Sequence, residues 1–303
     1  MMMTPFVFVL LVVVRASGGL APLPTADALC PEGMPADWLP RCLAGQLAYS
    51  PTLSGGLMPE VGNGHVATVV QSDTIYAAGV FNGDALAKFS HSTYRARIPA
   101  FVVEVAHAST SGVRAMDFER ATFVQRRNFS TNASESVIVV EERWYAPYQE
   151  PRLLVHEISL ALVGGGVGAT FEVSLSCEAT APSADIDLHS VPAAAEGEYA
   201  VIGNTTIPDL GNATAVGFAA NVLPKTVTLV SGAPFTTLHA LTAVVSSLNS
   251  TDVASDALHT LRGALAPAVV ATLHEGHQAA WEARSEAGRL EVEGELVRQL
   301  ASN

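Results

Sequence analysis

From Gly62 to Ser246 the chain is a succession of short runs rich in β-branched and aromatic residues, each closed by turn residues. That rhythm is the strongest constraint on the fold. Residues 66–70 and 74–78 flank Gln71-Ser72-Asp73 as the arms of a hairpin. Further strands are expected at 101–106, 121–125, 137–145, 153–162, 170–176, 199–202, 216–220, 226–230 and 238–246. The stretch 137–140 is continuously apolar, as in a strand covered on both faces. Such a series predicts two packed antiparallel sheets, a β-sandwich. No βαβ alternation precedes residue 250, which argues against a Rossmann-like or TIM-barrel body.

Near residue 255 the period changes. Leu258, Leu261, Leu265, Val269 and Leu273 recur at helical spacing, with Ser255 or Asp256 as the expected cap. Pro267 interrupts the run, so two short helices are expected, the second continuing through His277, Ala280, Trp281 and Arg284 and ending at Gly288. Residues 289–292 read as an extended segment and 294–300 as the opening turn of another helix. Gly164 to Gly168 joins two expected strands and reads as a hairpin, since a dinucleotide would need a helix N-terminus there. Gly62-Asn63-Gly64 reads as a tight turn.

The N-terminus is a separate object. Residues 6–14 are an unbroken apolar run, shorter than the roughly 20 residues a bilayer needs, followed by Arg15-Ala16-Ser17-Gly18. Residues 1–18 therefore read as a signal peptide, with an uncleaved anchor as the alternative. An irregular Pro- and Ala-rich arm is expected over 19–44, the β-sandwich over 45–252, and a helical linker with the start of a further domain over 253–303. Asn128, Asn132, Asn204, Asn212 and Asn249 each begin an Asn-x-Ser/Thr sequon, the acceptor sequence for N-glycosylation in surface loops of exported proteins. The expected location is secreted or the endomembrane lumen. There Cys30 and Cys42 can close a short loop and leave Cys177 unpaired, or all three can be buried thiols. With 29 acidic against 16 basic residues the net charge is -13, so nucleic acid is not an expected partner.

No motif in the chain carries a reaction. His274 and His277 are three residues apart rather than the four of a zinc-protease helix, and no third ligand is evident. Cys177 has no nucleophile motif around it, and no Gly-x-Ser-x-Gly elbow occurs. Glu141 with Glu142, and Asp185 with Asp187, are paired carboxylates, but adjacent strand residues point apart and alternate ones share a face. They read as solvated strand and loop edges. Trp144, Tyr145 and Tyr148 are candidates for stacking on sugar rings, with core or interface packing the favoured reading. No cofactor or metal is expected.

One block is distinctive as text. It consists of Met58-Pro59-Glu60-Val61-Gly62-Asn63-Gly64-His65-Val66-Ala67-Thr68, then Asp73-Thr74-Ile75-Tyr76-Ala77-Ala78-Gly79-Val80-Phe81-Asn82-Gly83, then Arg95-Ala96-Arg97-Ile98-Pro99. It resembles the start of glycoside hydrolase family 65 proteins of the acid-trehalase-like group. Residues 117–127 with Glu142-Arg143-Trp144, and the tail His277 to Trp281 and Arg289 to Gly294, follow in similar order. The resemblance implies an N-terminal β-sandwich, a helical linker and an (α/α)6 barrel that carries the catalytic carboxylates. Within the group it implies removal of glucose from glucosyl-galactosyl-hydroxylysine of collagen by an inverting mechanism, in which one Glu protonates the leaving oxygen and a second carboxylate activates water. No residue here matches the family's general acid or its Trp-Asp-containing substrate motif. The expectation is thus a front portion without its barrel, inactive alone. A carbohydrate-binding or interaction module and an acid-trehalase-like fragment are the alternatives. A glucosylated glycan is the expected partner of the intact enzyme, with a dimer and a separate catalytic domain as further candidates.

Overall fold

The computed structural model describes residues 30, 34–53, 58–84, 93–106, 111–130, 136–192, 194–209 and 211–288. The expected signal peptide, Asn132 and the segments expected at 289–292 and 294–300 lie outside them. In chain order, α1 (Leu39–Leu43) precedes β1 (Leu47–Ser50), β2 (Glu60–Gly62), β3 (Val66–Val69), β4 (Thr74–Ala77), β5 (Phe81–Asn82), β6 (Tyr94–Arg95) and β7 (Ile98–Pro99). Next come β8 (Phe101–Val105), β9 (Ser111–Asp117), β10 (Thr122–Ser130), β11 (Val137–Tyr145), β12 (Leu153–Val163) and β13 (Thr170–Ala179). The last strands are β14 (Ile186–Ser190), β15 (Glu198–Thr205), β16 (Ala215–Asn221), β17 (Thr226–Val230) and β18 (Thr236–Ser246). Three helices follow: α2 (Val253–Ala264), α3 (Pro267–Val270) and α4 (Leu273–Ala287).

The fold is mainly β and its pairings are antiparallel, as the sequence predicts. Among the described residues a nine-stranded sheet runs β1-β9-β10-β11-β12-β18-β16-β15-β14. A second layer covers one face of it, in two main pieces: β2-β3-β4-β7 and β17-β13-β8. The first piece packs Val66, Ile75 and Ile98 against Leu154, Phe218 and Val244. The second packs Val103, Val173, Leu175 and Leu229 against Ile138, Val140, Ile158 and Leu160. Alternation along each strand sends the other side chains to the outer face, where Leu153, Val155, Ala219, Leu241 and Ala243 meet α2. Gly217 makes that approach close: a Cβ there would lie 2.1 Å from the Val253 carbonyl oxygen.

Several expectations are corrected. The glycine-rich loop is not a hairpin: β12 pairs with β11 and β18, β13 with β17 and β8, so Gly164 to Gly168 carries the chain between layers. Local sequence is the same for either connection; only the partner strands differ. The 137–140 stretch is not covered on both faces. Ile138 and Val140 are buried, while Val137 and Val139 are half-buried on the outer face beyond the reach of α2. The helix cap is Asp252, whose side chain accepts a hydrogen bond from the Ser255 N–H, a contact worth about 1 kcal/mol. The Pro267 break yields a third short helix, α3, and Gly288 caps α4 as expected. The arm contains a helix, α1, and Cys30 is disulfide-bonded to Cys42, which is buried beside Trp38, Leu47 and Ala115. Cys177 is a half-buried free thiol.

Replacing Gly217 with Ala is expected to cost about 1–3 kcal/mol in urea unfolding, because β16 and the start of α2 cannot both hold their places. In Gly263→Ala, where nothing lies within 4 Å of the new methyl, stability should rise by about 1 kcal/mol.

Candidate functional site

Ala100 alone separates β7 from β8, and the chain passes there from one piece of the second layer to the other. Between these pieces and the large sheet lies a cavity of about 480 Å³. Gln71, Ser72, Ile75, Ala100 and residues 101–105 line one side; Arg127, Glu142, Trp144, Leu154, His156, Ala240 and Thr242 line the other. The second set projects from β10, β11, β12 and β18 on the inward-facing alternation, which is why distant residues converge. Glu142, only 2% exposed, accepts from Arg127 Nε at 2.7 Å and Gln125 Nε2 at 3.2 Å, both through Oε2. His156 Nε2 lies 3.3 Å from the remaining oxygen, Oε1, without the alignment of a hydrogen bond. The His156 ring stacks on Trp144 with centroids 4.2 Å apart, and Phe123 packs against the same indole at 5.7 Å.

Burial opposes the Glu142 charge, but His156 and Arg127 outweigh it and hold the carboxyl below its usual range. A general acid of a glycosidase needs the opposite shift. Glu142 can therefore accept hydrogen bonds but cannot serve as a proton donor near neutral pH.

The outer face carries a second polar cluster. Glu157 is 5% exposed and pairs with Arg143 Nη1 at 2.5 Å and His239 Nε2 at 3.6 Å. Arg143 also binds Glu141, which in turn receives Arg126 at 2.5 Å. Glu157 stays below its usual carboxylate range because His239 and Arg143 overcome the burial penalty. Beside it Tyr145 is fully buried, and burial followed by the Glu157 charge raises its phenol. Helix α4 lies over this point, with the rings of His274 and His277 at 5.3 and 4.7 Å from Tyr145. His277 is 2% exposed, neither ring nitrogen has a hydrogen-bond partner, and burial with the neighbouring His274 lowers it to about 4. Arg120 reaches Glu282 at 2.6 Å, and Arg284 sits 3.6 Å over the Tyr148 ring, fastening the rest of the helix. Among the described residues no three His, Cys, Asp or Glu side chains gather as a metal site.

The paired carboxylates are thus not solvated edges, except for Asp187, which is exposed. Glu141 and Glu142 point to opposite faces and end in ion pairs. Asp185 is 1% exposed and receives Arg97 Nε at 2.8 Å, the Arg97 N–H at 2.9 Å and the Tyr94 hydroxyl at 2.9 Å. Arg97, ahead of the smaller burial penalty, brings it to about 2. Trp144 and Tyr145 are packed inside, and Tyr148 lies under Arg284, so none of the three offers a free stacking face. The sequon residues Asn128 and Asn204 are exposed within β10 and β15 rather than in loops, while Asn212 is exposed between β15 and β16 and Asn249 between β18 and α2.

Sequence reasoning missed the role of two buried asparagines. Asn63 donates to the Pro147 and Pro151 carbonyls at 2.9 and 3.2 Å and accepts from the His65 and Val66 N–H groups. Asn82 accepts from Ile207 N–H at 2.7 Å and donates to the Tyr94 hydroxyl at 3.1 Å. The available signal is an Asn beside Gly at both positions; the tight-turn reading covers Asn63 alone, and Asn82 enters the sequence analysis only within the distinctive block.

No family model matches the sequence. The chain is 29% identical over 211 residues to protein-glucosylgalactosylhydroxylysine glucosidase of Dictyostelium discoideum, a match covering 64% of this chain and 28% of that protein. A solved kojibiose phosphorylase from the human microbiome shares the fold, with a TM-score of 0.56 at 10% identity, over 80% of this chain and 38% of the other. The chain therefore spans less than two fifths of the length of either protein.

Two outcomes are expected from the two clusters. Glu142→Ala should cost about 3–5 kcal/mol because Arg127 is left buried and unpaired, and Glu142→Gln distinctly less. A histidine unfolds to a pKa near 6.5 while His277 lies at about 4, so both states are neutral above 6.5 and stability is complete there. As pH falls from 6.5 toward 4 the unfolded state protonates first and α4 loosens. Amide exchange across residues 273–287 should accelerate over that interval, and His277→Phe should remove the His277 share of the change.

Proposed function

We propose that this chain, which resembles the N-terminal portion of glycoside hydrolase family 65 proteins, is the non-catalytic front of a glycosidase acting on glucosylated glycans. The reaction favoured by the sequence likeness is removal of glucose from glucosyl-galactosyl-hydroxylysine. The observation that carries the non-catalytic reading is the state of the most buried glutamates. Glu142 and Glu157 face opposite sides of one sheet, and each is held ionised by cations. A pair working across a glycosidic bond must face each other about 5–10 Å apart, with one member protonated. This arrangement supplies neither condition. In this reading the chemistry belongs to a further domain, and α2, packed on the outer face of the large sheet, begins the path toward it.

The disulfide between Cys30 and Cys42 and the exposed sequon residues support passage through an oxidising, glycosylating compartment, secreted or lumenal. Among the described residues no helix is long and apolar enough to cross a membrane.

The purified 303-residue chain is expected to release no glucose from glucosyl-galactosyl-hydroxylysine or from trehalose in a coupled glucose assay. Sustained turnover of either substrate, abolished by no contaminant control, would overturn the reading.

A further inference from the structure

Most of the apolar outer face of the large sheet is covered by other parts of the chain. Helix α2 lies over Val155, Ala219 and Leu241, α4 over Tyr145, and Trp38 of the disulfide-bonded arm packs with Val113, Ala115 and Val124. One patch on β11 and β12 is different. There Val139 stands opposite Ala161, and Val137 opposite Val163. Among the described residues these four join none of the apolar clusters of the core. Val163 is 55% exposed and the other two valines are half-buried. Apolar residues scattered singly on a surface are ordinary, whereas contiguous ones in mid-sheet mark a place where something sits.

On its other side Val139 faces Asn128 of β10. Asn128, Val139 and Ala161 thus form one row across three strands, next to the row of Arg126, Glu141 and Ser159. Asn128 is exposed, while its neighbours Arg127 and Phe129 turn to the inner face, toward Glu142 and Ile138. Asn128-Phe129-Ser130 is an acceptor sequon, and its Ser130 is exposed as well. We propose that Asn128 carries an N-linked glycan whose first sugar rings lie along this row and cover the valine patch. The proposal rests on the reading that the chain passes through a glycosylating compartment.

The occupant follows from reach and chemistry. Two strand spacings are about 10 Å, a span that a linked pair of sugar rings matches, so the glycan extends from Asn128 to Ala161 along the sheet. A sugar ring offers C–H groups on its faces and hydroxyls at its rim. Its face removes valine surface from water, and its rim meets the polar row of Arg126, Glu141 and Ser159. A free ligand would lose too much translational and rotational freedom for so small a patch, whereas a tethered one is already held there. The other sequons have different surroundings: Asn204 lies between the exposed Asp187 and Ala215, and Asn212 and Asn249 lie in connections. The transfer joins the Asn128 amide nitrogen to the anomeric carbon of an oligosaccharide carried on a lipid pyrophosphate. The C–O bond to the pyrophosphate breaks, and the amide gives up one proton. Because β10 is paired on both sides in the finished sheet, transfer must precede its pairing with β9 and β11.

The test produces the 303-residue chain in cells that export and glycosylate proteins, and reads occupied asparagines by mass spectrometry after enzymatic deglycosylation in heavy-oxygen water. Asn128 is expected to be occupied. Ser130→Ala, which abolishes the sequon and keeps Asn128, should lower Tm by about 2–4 °C. Thr251→Ala, which removes the Asn249 sequon, should leave Tm unchanged. In a Val139→Thr background the loss caused by Ser130→Ala should shrink by about half, because less apolar surface lies under the glycan. Asn128 unoccupied while Asn212 or Asn249 is occupied overturns the proposal and leaves the export reading standing; no occupied sequon overturns both. An unchanged Tm in Ser130→Ala, or a loss undiminished by Val139→Thr, also overturns it. Should Ser130→Ala not fold, the folded glycoprotein is compared before and after enzymatic removal of its glycans, and an unchanged Tm overturns the proposal instead.

Discussion

A nine-stranded sheet with apolar side chains on both faces must be covered twice, and the rest of the structure follows from how that is done. The outer face is covered in its centre by α2, at a distance fixed by the missing side chain of Gly217. The inner face is covered by a layer in pieces. Short strands such as β2, β5, β6 and β7 offer few ladder hydrogen bonds, so they need other fastenings to keep register. Asn63, Asn82 and the Asp185–Arg97 pair supply them, each tying the early segment to loops or strands far along the chain.

Those fastenings explain the text that first pointed to a family. The distinctive residues of 58–99 include Asn63, Asn82 and Arg97, and each is a lock between layers. In this chain the block is therefore a solution to an assembly problem. A catalytic reading of the block has no structural counterpart, since Asn63 and Asn82 have their amide groups directed at backbone carbonyls, N–H groups and a tyrosine.

The ion pairs form a transverse ladder across β10, β11 and β12. On the inner face Arg127 meets Glu142; on the outer face Arg126, Glu141, Arg143 and Glu157 alternate in sign. Antiparallel register brings these residues opposite or diagonal to one another, so each buried charge finds a partner without any loop rearrangement. Buried pairs of this kind add little net stability against apolar replacements, but losing one member is costly. They also fix register, because a one-residue slip would move every charge to the wrong face.

The alternation of apolar and polar residues determined the strands of the core, since a period of two reports which face is buried whatever the partner. β11 and β17 lie at the expected positions, and the switch to helix after residue 250 follows from spacing alone. Short strands such as β5 and β6 were not legible, because two residues are too few to impose a period. The glycine-rich loop reads the same in a hairpin or a crossover, so only the tertiary structure decided that it changes layer. Pairs such as Arg97 with Asp185 are 88 positions apart, and nothing local marks either residue. The sequence thus marked the apolar side of the core, and tertiary structure decided which charges are buried and what each one faces. An apolar side chain calls for burial by its own chemistry, whereas a charge is buried only where the whole arrangement supplies its partner.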